Sequence, residues 1–190
     1  MKKSFGAKSL IFPMPVWVVA TYDETGRPNA MTVAYGGVCC SDPPSVTVSL
    51  RKATYSYGSI MSHRAFTVNV PAETQVREAD YFGIATGKTT DKFADTGLTP
   101  VKSDLVDAPY IKEFPLVLEC KLAHTLELGR HTQFVGEIVD VKIDESVLNE
   151  DGTPDIEKVT PIIYATQTRR YYKLGQYLGP AYTIGKGIRK

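Results

Sequence analysis

Metal-binding residues are scarce in this chain. Its 190 residues include three cysteines, Cys39, Cys40 and Cys120, and three histidines, His63, His124 and His131. The cysteine count is odd and no C-x-x-C occurs, so neither a disulfide framework nor a zinc site is expected. Cys39 and Cys40 are neighbours, and adjacent strand residues do not offer the Cα separation a bridge needs. All three cysteines read as small buried apolar residues; a thiol beside a redox cofactor is the rival reading. His124 and His131 flank an expected turn with no thiol or carboxylate at ligand spacing, so no metal is expected.

Other signatures are missing as well. No apolar run approaches the ~20 residues of a membrane span. The start, MKKSFGAKSLIFPMP, has neither a long apolar segment nor a small-residue cleavage pattern, so no secretory leader is expected and cytoplasm is the default. The net charge of +1 by itself argues for neither nucleic acid nor a membrane surface as a partner, and neither is expected. G-x-S-x-G, G-x-x-x-x-G-K-[ST] and a G-x-G-x-x-G between strand and helix are all absent, which removes the usual hydrolase, nucleotide-triphosphatase and dinucleotide fingerprints.

What remains is a pattern of short strands. Val16–Thr21 and Asn29–Tyr35 flank the turn cluster Tyr22–Pro28 and read as a hairpin. Gly36 and Gly37 end or bend the second strand, and Ser41–Pro44 turns the chain. Ser45–Leu50 alternates, with Val46, Val48 and Leu50 on one face. Thr54 is placed to cap the helix YSYGSIMSH with its hydroxyl. Ala65–Val70 is a strand stopped by Pro71. Glu73–Thr86 is the most helical stretch, and Gly87–Gly97 a loop with about one helical turn. Leu116–Leu128 is a long strand carrying Leu116, Leu118, Cys120, Leu122, His124, Leu126 and Leu128 on one side. It turns at Gly129-Arg130 and returns over His131–Ile143. Asn149–Pro154 is a polar loop, Pro161–Thr166 a last short strand, and the tail from Tyr171 has no period. This content is mainly β with peripheral helices. It favours a small antiparallel barrel over a doubly wound parallel sheet, in one domain covering residues 1–190.

The chemistry concentrates in Arg51-Lys52-Ala53-Thr54-Tyr55-Ser56. Two cations and several hydroxyls leave a strand and enter a helix, where free N–H groups converge; a phosphate fits such a corner. The bland alternative is an exposed basic turn. Asn29-Ala30-Met31-Thr32 offers an amide and a hydroxyl for the polar edge of a ligand. Trp17, Tyr35, Tyr55 and Tyr57 either stack on a ring or pack the core.

The ordered set GRPNAMTVAYGG, DPPSVTVSLRKATYSYGSI, FTVNVP, DKFADTGL, LECKL and GRHTQFVGEIVDV resembles the flavin reductase-like FMN-binding proteins, and their flavoredoxin branch most of all. The likeness runs over about residues 10–175. It implies a split β-barrel that binds FMN, usually as a homodimer with the flavin near the subunit interface. It would place the phosphate at Arg51, Lys52 and Thr54, with Lys92 as a further cation or else as half of a solvated Asp91–Lys92 charge pair. Asn29, Ala30, Met31 and Thr32 would line the flavin, and Ser49 and Leu50 would present backbone groups to the ring. Tyr35 stands where many relatives carry tryptophan, a departure that leaves its stacking role open. His131 would sit on the nicotinamide or substrate face, or else be a surface histidine. Tyr164, Tyr171 and Tyr172 would cover the flavin, or else pack.

The function this implies is that of an FMN-binding oxidoreductase, transferring electrons or hydride from NADH or NADPH. The alternative is a carrier with tightly held FMN and a protein redox partner. A nucleotide-binding barrel without redox chemistry is a third reading.

Overall fold

The computed structural model describes residues 1–188. In chain order the elements are β1 (Met14–Pro15), β2 (Trp17–Tyr22), β3 (Pro28–Val33), β4 (Gly36–Ser41), β5 (Pro44–Arg51), α1 (Tyr55–His63) and β6 (Ala65–Val70). A short 3-10 turn (Glu73–Gln75) then leads into α2 (Val76–Ile84) and α3 (Lys92–Thr96). The chain closes with β7 (Pro100–Lys102), β8 (Pro109–Ile111), β9 (Leu116–Leu128), β10 (His131–Ile143), α4 (Ile156–Val159), β11 (Ile163–Ala165) and β12 (Arg170–Tyr172).

Seven strands form one antiparallel sheet in the order β3-β2-β6-β9-β10-β5-β4. The sheet curls until β3 and β5, remote in strand order, come into contact. This is a split barrel, not a closed one. Strand β2 shows why its sequence does not alternate: it is buried on both faces. Val19 enters the inner core with Val46, Val48, Leu50, Phe66 and Phe134, under Ile60 of α1. Val18 and Ala20 enter an outer core with Ala30, Phe82, Phe93 and Ile111, under α2 and α3. Inside the barrel, Gly136 lets strands close up, since a Cβ there would lie 2.5 Å from the Phe66 ring.

The expected hairpins form, with corrections. The second strand of the first hairpin stops at Val33, and Gly36-Gly37 begins a separate strand, β4, which the turn-rich sequence concealed. Its Cys39 and Cys40 are exposed, not packed, because β4 is the edge of the sheet; Cys120 is buried as expected. The helix expected over Glu73–Thr86 opens as a 3-10 turn and ends at Ile84. The single-sided reading of β9 fails beyond Leu122. β6 pairs only with Leu116–Lys121, and a bulge at Ala123 breaks the phase, so His124, Leu126 and Leu128 stand exposed. Trp17 and Tyr57 belong to the core, Tyr57 edge-on to Phe134 at 5.4 Å between centroids.

Candidate functional site

A cavity of about 410 Å³ opens where β3, the end of β5, the start of α1 and the segment Phe82–Lys92 meet. The curl of the sheet is what brings β3 against β5; neither strand alone makes a pocket. Asn29, Met31 and Thr32 line one side, and Ser49, Leu50, Arg51 and Thr54 the other. Lys92 lines the wall between β3 and α2, and Tyr35 and His131 line it beside Arg51. Their rings meet edge to face, 5.3 Å between centroids.

Several candidates fall outside this lining. The methyl of Ala30 is fully buried in the outer core, and only its carbonyl faces the site's framework. Lys52 is exposed and its Nζ lies 2.8 Å from Glu127 at the end of β9. Tyr164 and Tyr171 line an adjoining cavity instead, and Tyr172 is exposed on β12.

The helix corner differs from the sequence expectation in one atom. The Thr54 hydroxyl does not cap α1; it donates back to the Arg51 carbonyl at 2.8 Å. No acidic residue occupies the first turn of α1 either. The Tyr57 N–H donates to the Thr54 carbonyl at 3.2 Å, which leaves the N–H groups of the cavity-lining Tyr55 and Ser56 to carry the helix's partial positive charge without an acceptor in the helix. Arg51 adds a full charge at the same place.

Beneath that corner lies a network that the basic motif does not reveal. The Asp23 carboxylate accepts from the Thr25 hydroxyl (2.6 Å), the Thr25 and Arg27 N–H groups (2.9 and 3.0 Å) and the Tyr55 hydroxyl (2.9 Å). Burial opposes its ionisation, but these donors outweigh burial and hold its pKa well below the usual carboxylate range. Arg27 in turn donates to the Gly87 carbonyl at 2.8 Å. Gly87 has no room for a side chain: a Cβ there would lie 2.3 Å from Asn29 Oδ1 and 2.6 Å from the Tyr55 ring. Asn29 donates to Ser56 Oγ at 2.9 Å, while its buried Oδ1 has no partner. Asp23 and Arg27 were missed because they look like ordinary turn residues, with the D-x-T-G-R spacing as the available signal; Gly87, in a separate loop, carried none.

Lys92 is the second unusual group. It is 4% exposed, and its ammonium donates to the carbonyls of Ala30 (2.8 Å) and Phe82 (3.1 Å). No carboxylate pairs with it among the described residues. Burial alone pushes its pKa down to about 8. Thr32 donates its hydroxyl to the Ala79 carbonyl, tying β3 to α2 beside it.

Chemically the cavity is lined by the cations Arg51 and Lys92, by strand backbone and small polar groups, and by the aromatic pair Tyr35–His131, with His131 directly opposite Arg51 across β10 and β5. No group of His, Cys, Asp and Glu able to hold a metal occurs among the described residues, and no helix among them is long and apolar enough to cross a membrane.

Known proteins share this architecture. The family model described as flavin reductase like domain matches residues 9–175. Flavoredoxin of Desulfovibrio vulgaris (Miyazaki F) superposes with a TM-score of 0.93 at 55% identity, over 98% of this chain and 100% of that one. Flavoredoxin from Methanosarcina acetivorans gives 0.91 at 30% identity, over 98% of each chain. The reductase component of a 4-nitrophenol 4-monooxygenase/4-nitrocatechol 2-monooxygenase from Rhodococcus opacus is 30% identical over 124 residues, 65% of this chain and 63% of its own. With the family model spanning most of its length and the split barrel in place, the chain belongs to the flavin reductase-like family of flavin-binding proteins.

Proposed function

We propose that the chain binds FMN in the 410 Å³ cavity and passes electrons or hydride through it, taking them from NADH, NADPH or a redox protein. One observation carries this reading: an uncapped helix N-terminus, Arg51 and the buried, unpaired cation Lys92 line one cavity. That set suits a ligand with a terminal phosphate and a long polar body. The unpartnered Asn29 Oδ1 is an acceptor awaiting a donor, which a ribityl hydroxyl provides.

In this reading Arg51, Thr54 and the first turn of α1 hold the phosphate. Asn29 to Thr32 follow the ribityl chain and ring, with Ser49 and Leu50 facing them. Lys52 reaches the phosphate only by leaving Glu127. Tyr35 and His131 sit on the side where a nicotinamide or substrate approaches. A homodimer is part of the proposal, since Val38 on the edge strand β4 and Leu126 and Leu128 on the end of β9 beyond β6 leave apolar surface exposed. Bound flavin supplies the redox chemistry; the chain supplies position, charge and shelter from water.

The 55% identity to a flavoredoxin favours a second reading, an electron carrier with tightly held FMN. One experiment separates the two. Purified protein is titrated with FMN, then mixed anaerobically with NADH or NADPH. Rapid bleaching of the flavin supports the reductase. Reduction only by dithionite or a reduced electron-transfer protein supports the carrier. Failure to bind FMN sinks both.

A further inference from the structure

Charge is unevenly spread along this chain, although its net charge is only +1. Six carboxylates lie between Asp144 and Glu157, and Lys158 is the one cation of residues 144–158. That segment follows β10, whose thirteen residues start at the cavity with His131 and end at Ile143. It is therefore separated from the cavity by roughly 40 Å of strand. The compensating positive charge belongs to the rest of the chain, and part of it rings the cavity.

Outside the lining itself, four charged residues adjoin a lining residue in sequence. Lys52 follows Arg51, Lys88 follows Gly87 and Arg130 precedes His131. The fourth, Asp91, caps α3 and accepts the Ala94 N–H at 3.1 Å. The N-terminal arm adds another cation. The Tyr35 hydroxyl donates to Ser9 Oγ at 3.4 Å, which brings Lys8 to the same rim. Residues 1–12 carry Lys2, Lys3 and Lys8 and no carboxylate. Lys8, Arg51, Lys52, Lys88 and Arg130 are all exposed. Lys52 is paired with Glu127; the other four make no ion pair among the described residues.

These cations come from four separate segments around one opening: the arm, the β5–α1 turn, the loop after α2 and the β9–β10 turn. A ring of that kind suits a broad partner surface better than a single phosphate group, which a convergent pair of cations holds. Tyr35, 42% exposed, and Leu10, 39% exposed, place apolar surface among the charges. Basic and apolar groups interleaved in this way fit a protein face of opposite charge.

We infer that this rim is the docking surface for an acidic one-electron carrier protein, which delivers its electrons to the flavin in the cavity beneath. The inference rests on the FMN reading of that cavity. Two reduced carriers dock in turn and each is oxidised by one electron. The two electrons, with two protons from water, convert FMN to FMNH2. The acidic segment at the far end of β10 repels the same partner, so the charge distribution orients it as well as attracting it.

Reduced plant-type [2Fe–2S] ferredoxin, an acidic carrier, is the probe. It is mixed anaerobically with the FMN-loaded protein, and stopped-flow absorbance follows the flavin. The second-order rate constant is expected to fall at least about tenfold between about 20 and about 500 mM NaCl. Lys88→Glu combined with Arg130→Glu should lower the low-salt rate at least about tenfold and flatten its salt dependence. Glu150→Gln combined with Asp151→Asn, at the far end, should leave that rate within about twofold of the unaltered protein. A rate that ignores salt, or that survives the double charge reversal, overturns the proposal. An equal loss of rate with NADPH as reductant also overturns it, because the rim would then hold a nucleotide. So does a changed sedimentation coefficient in the reversed variant, which would mean that a second copy of the chain covers the rim. So does a large loss of FMN in that variant, which would assign these cations to the cofactor. If the unaltered protein binds no FMN, the cofactor reading fails, and titration with oxidised ferredoxin still judges the rim by its salt-dependent dissociation constant.

Discussion

Two lysines show how differently two regions of one site are built. Lys52 stands on the rim, exposed, its charge answered by Glu127 at 2.8 Å. Lys92 stands in the wall, 4% exposed, its charge answered only by two carbonyl dipoles. The rim can exchange its partner for solvent or ligand at small cost, because exposed ion pairs are screened and weak. The wall cannot, because a buried ammonium lacks both water and a counter-ion. An anionic group of a ligand at the cavity wall therefore gains more from Lys92 than one at the rim gains from Lys52.

The contrast is broken most directly by Lys92→Met, which keeps the length and removes the charge. FMN affinity should fall about tenfold to a hundredfold, the value of one to two charge-assisted hydrogen bonds. Fluorescence titration of FMN reads this, and an unchanged dissociation constant would make the wall no more important than the rim. Gly87→Ala should act on the same wall by steric means. Its Cβ would press on Asn29 Oδ1 and the Tyr55 ring, so the melting temperature should drop in line with about 1–3 kcal/mol of overpacking. FMN binding should weaken with it, while Gly37→Ala, in open space, should leave both unchanged.

A pH series sharpens the comparison. Lys92 has a folded-state pKa lowered to about 8, so the empty protein binds fewer protons than the unfolded chain above that value. Its stability should rise as pH climbs from about 8 towards the ordinary lysine value, while FMN affinity falls over the same window as the ammonium is lost. Between pH 7 and 9 the FMN dissociation constant should increase about tenfold, and Lys92→Met should flatten that slope. Calorimetry in two buffers of different ionisation heat would register the matching proton uptake. The smallest effect belongs to the rim. Lys52→Ala should weaken FMN by about threefold or less, and only at low salt. Lys52→Glu combined with Thr54→Ala should do more, because repulsion is added and a hydroxyl lost. If Lys52→Ala alone matches Lys92→Met, the proposed division between wall and rim is wrong.

Legibility followed the same division. The β5–α1 corner could be read from Arg51 to Ser56 because strand, cations, hydroxyls and helix start are contiguous. The DKF segment pointed to Lys92 only through family resemblance; nothing local marks it as buried. The Thr54 hydroxyl was assigned to the helix cap by rule, but its contact with the Arg51 carbonyl leaves the helix end open. Cys39 and Cys40 looked apolar enough to bury, yet their strand is the sheet's edge, and edge position depends on pairings far along the chain. Asp23, Arg27 and Gly87 act together across sixty residues, which no local motif records.

By itself the sequence determined the local vocabulary: alternating strands, the Gly26 and Gly129 turns, the helix after Thr54, and a basic hydroxyl-rich corner after Leu50. Those features depend on neighbours within a few residues, through backbone preference and side-chain period. The tertiary structure decided which groups share a cavity, which lysine loses its water and which cysteines meet solvent. These outcomes depend on the curl of a seven-stranded sheet, which brings β3 against β5 and carries Lys92 beneath Ala30. Burial and desolvation are properties of that packing, so the charge that matters most to the proposed site became visible only once the barrel was assembled.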